Sequence, residues 1–211
     1  LAAGRNQSLV ATWIEQTIKG TSIAYFSQSR DGGTTWNSPT PLTTESQQVS
    51  FPEISFWRNG KLLAAWIDGR DERGTQLYAR VIGDDTPDIL VADSANKSHL
   101  GLTVFPNSSA LLVYRGHDDE GIRDIHRVAW DGKEWSEPRI LNHDEWRPKT
   151  NHITGPRLDS SGGQAATVWY SAAFNSPRVQ ISTSPDAGER FTMPQQIDLG
   201  HATGRTDLKM L

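Results

Sequence analysis

Four copies of one pattern follow each other along this chain, and that tandem order restricts the fold more than any other feature. The apolar segments Leu9-Val-Ala-Thr-Trp13-Ile, Leu62-Leu-Ala-Ala-Trp66-Ile, Leu111-Leu-Val-Tyr114 and Ala166-Thr-Val-Trp169-Tyr place an aromatic residue at successive offsets of 53, 48 and 55. Self-similarity at such a period marks units that cannot bury their apolar faces alone and must stack on one another. A second strand follows each segment, at Ser22 to Phe26, Thr75 to Ala79, Arg123 to Arg127 and Pro177 to Ile181, with the period-two alternation of strands that have two unlike faces. A short outer strand recurs around Pro41-Leu42, Ile89-Leu90, Arg139-Ile140 and Gln196-Ile197. An inner strand opens the next unit around Phe51 to Ile54, Leu100 to Leu102, Ile153 to Leu158 and Thr206 to Leu208. Four strands in a unit of about 50 residues describe a blade, so the expectation is an all-β chain, a β-propeller of four-stranded blades with four blades encoded in one domain over 1–211. A β-sandwich of short strands would not repeat so evenly.

The ends extend this reading. The first unit begins at its second strand, whereas the last is followed by a spare inner strand, Thr206-Asp-Leu-Lys-Met-Leu211. Tail joined to head reads as one hairpin running into Trp13, so the expectation is ring closure between the N- and C-terminal strands. Closure of that kind removes an exposed sheet edge.

Composition bounds the partners. Charged residues are 22% of the chain and the net charge is −4, with Lys and Arg interspersed among acids, which argues against the basic stripe that nucleic acid or an anionic membrane needs. No apolar run approaches the roughly 18 residues of a membrane span. Cysteine is absent, which excludes disulfides, thiolate nucleophiles and Cys-based zinc sites. Leu1 to Val10 lacks the pattern of an export signal.

Between the third and fourth strands of the first unit stands Ser29-Arg-Asp31-Gly-Gly33-Thr-Thr-Trp36, which fits S-x-D-x-G-x-x-W. The fourth unit repeats it as Ser184-Pro-Asp186-Ala-Gly188-Glu-Arg-Phe191, the third keeps an eroded form, Trp130-Asp131-Gly132-Lys-Glu-Trp135, and the second has lost it around Gly83-Asp84-Asp85. The chemistry is that of a tight hairpin: Asp accepts turn N–H groups, Gly supplies a positive φ, and the aromatic fills the gap beside the next sheet. On these turns, together with Trp66-Ile-Asp-Gly-Arg70, Tyr114-Arg115, Ile122-Arg-Asp-Ile125, Thr154-Gly-Pro156 and Thr203-Gly-Arg205, the chain resembles bacterial sialidase-like proteins with BNR (Asp-box) repeats. In that family the Asp-boxes are structural, and Asp31 and Asp186 are read accordingly.

The resemblance implies where to look for a site. Sialidases clamp a substrate carboxylate with three arginines and use a Tyr nucleophile paired with a Glu, plus an Asp acid. Guanidinium groups hold a planar carboxylate in a bidentate manner, and the Tyr needs a base. Arg115, Arg157 and Arg205, at strand mouths of three blades, are the clamp candidates; Tyr170 and Tyr114 are the tyrosines, and Asp118, in the run Asp118-Asp119-Glu120, is the acid. Equally, such arginines can serve as blade-to-blade ion pairs, and such aromatics as packing. The sequence departs from the sialidase pattern in having no Phe/Tyr-Arg-Ile-Pro segment, and the family's usual propeller has six blades, so the alternative is that this chain is part of a six-bladed ring.

A second constellation is His99, His152 and His201, each at the entry of an inner strand in a successive blade. Three converging imidazoles suit zinc or copper, against the alternative of polar groups that bind channel water. No cofactor pattern is present. The expected function is a sialidase-like propeller that binds a glycan or small anionic ligand, with or without catalysis of exo-glycosidase type. The alternative is a non-catalytic scaffold with a protein partner. The resemblance implies a periplasmic or extracellular location.

Overall fold

The computed structural model describes residues 1–44, 48–70, 74–84, 86–95, 97–148 and 154–211. The chain forms two compact units, Leu1–Asp93 and Ser94–Leu211. Each unit holds two four-stranded antiparallel sheets, the blades of a β-propeller fold, and every sheet is built from strands consecutive in sequence.

In the first unit, sheet one is β1 (Ala2–Ala3), β2 (Leu9–Gln16), β3 (Ser22–Ser29) and β4 (Thr40–Pro41), and sheet two is β5 (Ser50–Phe56), β6 (Leu62–Asp68), β7 (Gln76–Ile82) and β8 (Ile89–Ala92). In the second unit, sheet three is β9 (Gly101–Val104), β10 (Ala110–Arg115), β11 (Ile125–Trp130) and β12 (Arg139–Asn142), and sheet four is β13 (Arg157–Ser161), β14 (Gln164–Ser171), β15 (Arg178–Ser184) and β16 (Gln195–Gln196). Among the described residues the only helical segments are two single 3₁₀ turns, Arg58–Gly60 and Ala173–Asn175. No helix among them is long and apolar enough to cross a membrane.

The repeated aromatic occupies one position of the hairpin. Trp13 lies opposite Tyr25, Trp66 opposite Tyr78, Tyr114 opposite His126, and Trp169 opposite Gln180. The first three pairs stack, with ring centroids 6.1, 6.4 and 5.5 Å apart. Such cross-strand pairs are the unit of sheet stabilisation and here they fix register blade by blade. Each unit buries its own core between two sheets. Val10, Ala24 and Phe26 of sheet one meet Ile54, Leu62 and Trp66 of sheet two. Leu111, Val113 and Ile125 of sheet three meet Ala165 and Trp169 of sheet four.

Three expectations are corrected. The first sheet does carry an innermost strand of its own, β1, which pairs with Leu9 and Val10. Thr206 to Leu208 forms no strand. Instead the tail lies along β13 of sheet four, where Met210 N–H donates to Asp159 Oδ2 at 2.8 Å, Lys209 Nζ pairs with the same carboxylate at 3.0 Å, and Ser161 Oγ donates to Leu211 O. β11 begins at Ile125, because Arg123 and Asp124 are drawn into the neighbouring loop: Arg123 N–H donates to Trp146 O, and Asp124 Oδ1 accepts Glu145 N–H. Ile153 and Asp85, named in the repeat, lie outside the described residues.

The Ser-x-Asp turns follow the chemistry read from them. Asp31 Oδ1 accepts Thr35 N–H and Ser29 Oγ–H, while Ser29 Oγ accepts Gly33 N–H; Asp186, Arg190, Ser184 and Gly188 repeat the arrangement. Gly188 has φ +88° and packs so closely that a Cβ would stand 2.7 Å from Leu111 Cδ2. The aromatic differs between copies. Phe191 packs against the core of sheets three and four, but Trp36 is 42% exposed and folds over its own turn, donating Nε1–H to Gly33 O.

Candidate functional site

All the residues proposed from sequence lie in the second unit. Arg115 ends β10 and is fully buried. Its Nη2 donates to Tyr170 O at 2.7 Å, and its Nη1 donates to Arg123 O and faces Asp144 Oδ2 at 3.4 Å. The guanidinium lies 4.8 Å from the Trp146 ring centroid. Asp144 is also buried and accepts Asn142 Nδ2–H and Trp169 Nε1–H on its Oδ1. Burial pulls the Arg115 guanidinium down to about 10 and pushes the Asp144 carboxyl above its ordinary range, against their mutual attraction. Arg115 therefore serves structure: its ion pair with Asp144 stays beside sheet three, and its hydrogen bond to Tyr170 O reaches sheet four.

Tyr170 closes β14. It is 8% exposed and meets Trp146 edge-to-face, with centroids 5.7 Å apart and planes at 83°. Tyr114 is buried against His126, and burial pushes its phenol well above the ordinary value. Asp118 caps its own turn: Oδ1 accepts the N–H groups of Glu120 and Ile122, and its N–H donates to Ile122 O. Its carboxylate serves the loop from β10 to β11.

The other two arginines reach the same end of sheet four as Tyr170. Arg157 opens β13, opposite Val168. Gly155, two residues earlier, presses against the backbone of His99 so closely that a Cβ would stand 1.6 Å from His99 O. The Arg157 charge and, more strongly, burial lower the His99 pKa. Gly204 packs against Thr154 and Tyr170, which brings the following Arg205, exposed and at φ +60°, to that end. Sequence reading missed Arg178, which opens β15 opposite Ser171 and so stands there too. Its Nε is buried with no hydrogen-bond partner, and among the described residues its guanidinium makes no ion pair. The signal available was Pro177 directly before it, a residue that starts a strand and fixes the approach. Asp144 and Trp146, in the run Asn142-His-Asp-Glu-Trp146, were missed as well.

Of the three histidines, His99 is half-buried, His201 is exposed at φ +64°, and His152 lies outside the described residues. Among the described residues, no group of three His, Asp or Glu side chains is placed to hold a metal ion.

Comparison with family profiles and with curated proteins returns no match. Solved structures do match. A Hadza microbial sialidase aligns over 97% of this chain and 46% of its own, at 16% identity and a TM-score of 0.58. An ulvan lyase, a polysaccharide lyase bound to -[GlcA(1-4)Rha3S]-, aligns over 88% of this chain at 12% identity and a TM-score of 0.52. A GH93 α-L-arabinofuranosidase of Fusarium graminearum aligns over 92% at 14% identity and a TM-score of 0.50. This chain spans 55% of the ulvan lyase and 68% of the arabinofuranosidase. At such identities the likeness establishes the fold, a β-propeller of four-stranded blades.

Proposed function

We propose that this chain is a sialidase-like, Asp-box propeller that binds an acidic glycan at the Tyr170 end of sheet four. The observation that carries the reading is the gathering of Arg157, Arg178 and Arg205 at that end, on the starts of β13 and β15 and on the segment that Gly204 holds against Tyr170. Guanidinium groups on neighbouring strand starts suit a sugar that presents a carboxylate or sulfate. Propellers of the same fold include a sialidase and a lyase bound to a glucuronate-containing, sulfated disaccharide. Binding is favoured over sialidase chemistry, because Arg115 is consumed by Asp144 and backbone carbonyls and Asp118 by its own turn. A periplasmic or extracellular role belongs to this reading.

Calorimetric titration with N-acetylneuraminic acid and with glucuronic acid tests it. Each charge-assisted hydrogen bond contributes about 1.5–3 kcal/mol, so Arg178→Ala or Arg205→Ala should weaken binding roughly ten- to hundredfold. Affinity for both acids that is unchanged in both variants would overturn the assignment. A fluorogenic sialoside should be left uncleaved by the wild-type chain.

A further inference from the structure

The first unit contains a groove that the acidic-glycan reading does not use. It has a volume of about 190 Å³ and lies where the outer part of sheet one meets the turns of sheet two. Its floor is apolar: Phe26 and Leu62, both buried, and the half-buried Ile82. Its walls carry Gln28 on β3, Asn37 and Ser38 on the segment leading into β4, and Thr40 at the start of β4. Gly60 and Gly83 complete the rim at φ +75° and +106°, and beside Gly60 the space where a Cβ would stand is open.

Two properties of this lining point the same way. First, no charged side chain contributes to it. Second, Asn37 and Gln28 use their backbones in the hairpin, Asn37 N–H donating to Gln28 O and Asn37 O accepting from Ser27 Oγ, while their amide side chains have no protein partner among the described residues. The hydroxyls of Ser38 and Thr40 are equally uncommitted there. Carboxamides and hydroxyls both donate and accept, which matches the mixed hydroxyl pattern of an uncharged sugar and gives an anion no counter-charge. An aromatic and aliphatic floor supplies the surface for the apolar face of a pyranose. The volume falls below the roughly 300–1,000 Å³ of pockets for drug-sized ligands, so the occupant is one ring.

We infer that this groove is a second carbohydrate subsite, specific for a single neutral sugar residue and independent of the arginine-rich end of sheet four. In a branched or mixed glycan it would hold the uncharged residue.

The test is a titration of ¹⁵N-labelled protein followed by NMR, with methyl β-D-galactopyranoside and N-acetyl-D-glucosamine as neutral probes and D-glucuronate as the charged one. The protein carries Arg178→Ala and Arg205→Ala, so that failure of the acidic site cannot mask or imitate the result. At least one neutral probe should shift the side-chain amide signals of Gln28 and Asn37 and the backbone amides of Gly60 and Gly83. Thr40→Trp, which fills the groove from an exposed position on an edge strand, should abolish the shifts, and Gln28→Ala should weaken binding about tenfold, the effect of one lost hydrogen bond to the sugar. Shifts that persist in both variants, a response to glucuronate as strong as to the neutral sugars, or no response to either neutral probe would each overturn the inference.

Discussion

Arg115 shows how one residue's environment decides its role. A guanidinium with no exposed surface, tied to a buried carboxylate and two carbonyls, cannot be released to a ligand without leaving Asp144 charged and dry. Breaking one member of a buried pair costs about 3–5 kcal/mol, whereas replacing both by apolar groups of similar volume is often neutral. Arg115→Ala is therefore expected to lose stability of that order in urea denaturation, and Arg115→Met with Asp144→Leu to recover most of it. A ligand-binding role for Arg115 would show the opposite pattern, with affinity lost and stability kept. Gly155 is a sharper case. Its missing Cβ is occupied by backbone, His99 O, which cannot swing aside as a flexible side chain can. Gly155→Ala should thus exceed the roughly 1–3 kcal/mol of ordinary overpacking, read as a fall in thermal midpoint or a loss of folded protein.

The hairpin turns behave as elements rather than as sites. Ser29 Oγ, 2% exposed, accepts Gly33 N–H at 2.9 Å and donates to Asp31 Oδ1 at 2.8 Å, and Ser184 does the same for Gly188 and Asp186. Removing such a buried hub leaves donors unsatisfied at about 1–3 kcal/mol, so Ser29→Ala and Ser184→Ala should each destabilise their own unit by that amount. The eroded turn has no such serine. There Asp131 accepts Lys133 and Glu134 N–H directly, at an exposed position, and Asp131→Ala should be milder than either serine variant in the same denaturation series. The turns and second strands were legible because Asp, Gly and period-two aromatics act locally. The inner strand β1, only two residues of alanine, carried no such signal. The tail around Leu208 did carry an apolar alternation, but Asp159 captures it as an extended segment beside β13.

Over the whole chain, repetition specified the all-β class and the four sheets, since the repeated aromatic marks the same position in each hairpin and faces another ring in three of the four. The proposed site was only half legible: Arg157, Arg205 and Tyr170 stand at loop ends in the sequence, but the burial that ties up Arg115 depends on the loop carrying Asp144 and Trp146. The response to acid is also a property of the whole chain. Burial lowers the pKa of His99, His117 and His126 below 6.5, so in each the unfolded chain binds a proton that the folded one refuses. Stability tied to these groups is present above 6.5 and is lost as pH falls from there through their folded values. Hydrogen bonds, led by Thr35 for Asp31 and by Arg190 for Asp186, hold those two carboxyls at about 2 against an ordinary 3.8, and Asp131 and Asp198 are lowered by backbone N–H groups. The contribution of Asp31 and Asp186 is present above 3.8 and disappears by about 2, and that of Asp131 and Asp198 is likewise lost as pH falls below 3.8. Asp144 runs the other way, because burial raises its carboxyl and protonation relieves the folded state. One carboxyl opposes three imidazoles and four turn carboxylates, so acidification destabilises in two steps, one beginning near 6.5 and one between 3.8 and about 2. Thermal midpoints measured across that range should show both, and a His99→Gln, His117→Gln, His126→Gln variant should lose the upper step while keeping the lower. A single step confined to the lower range in the wild-type chain would mean that the three imidazoles are open to water in the folded protein.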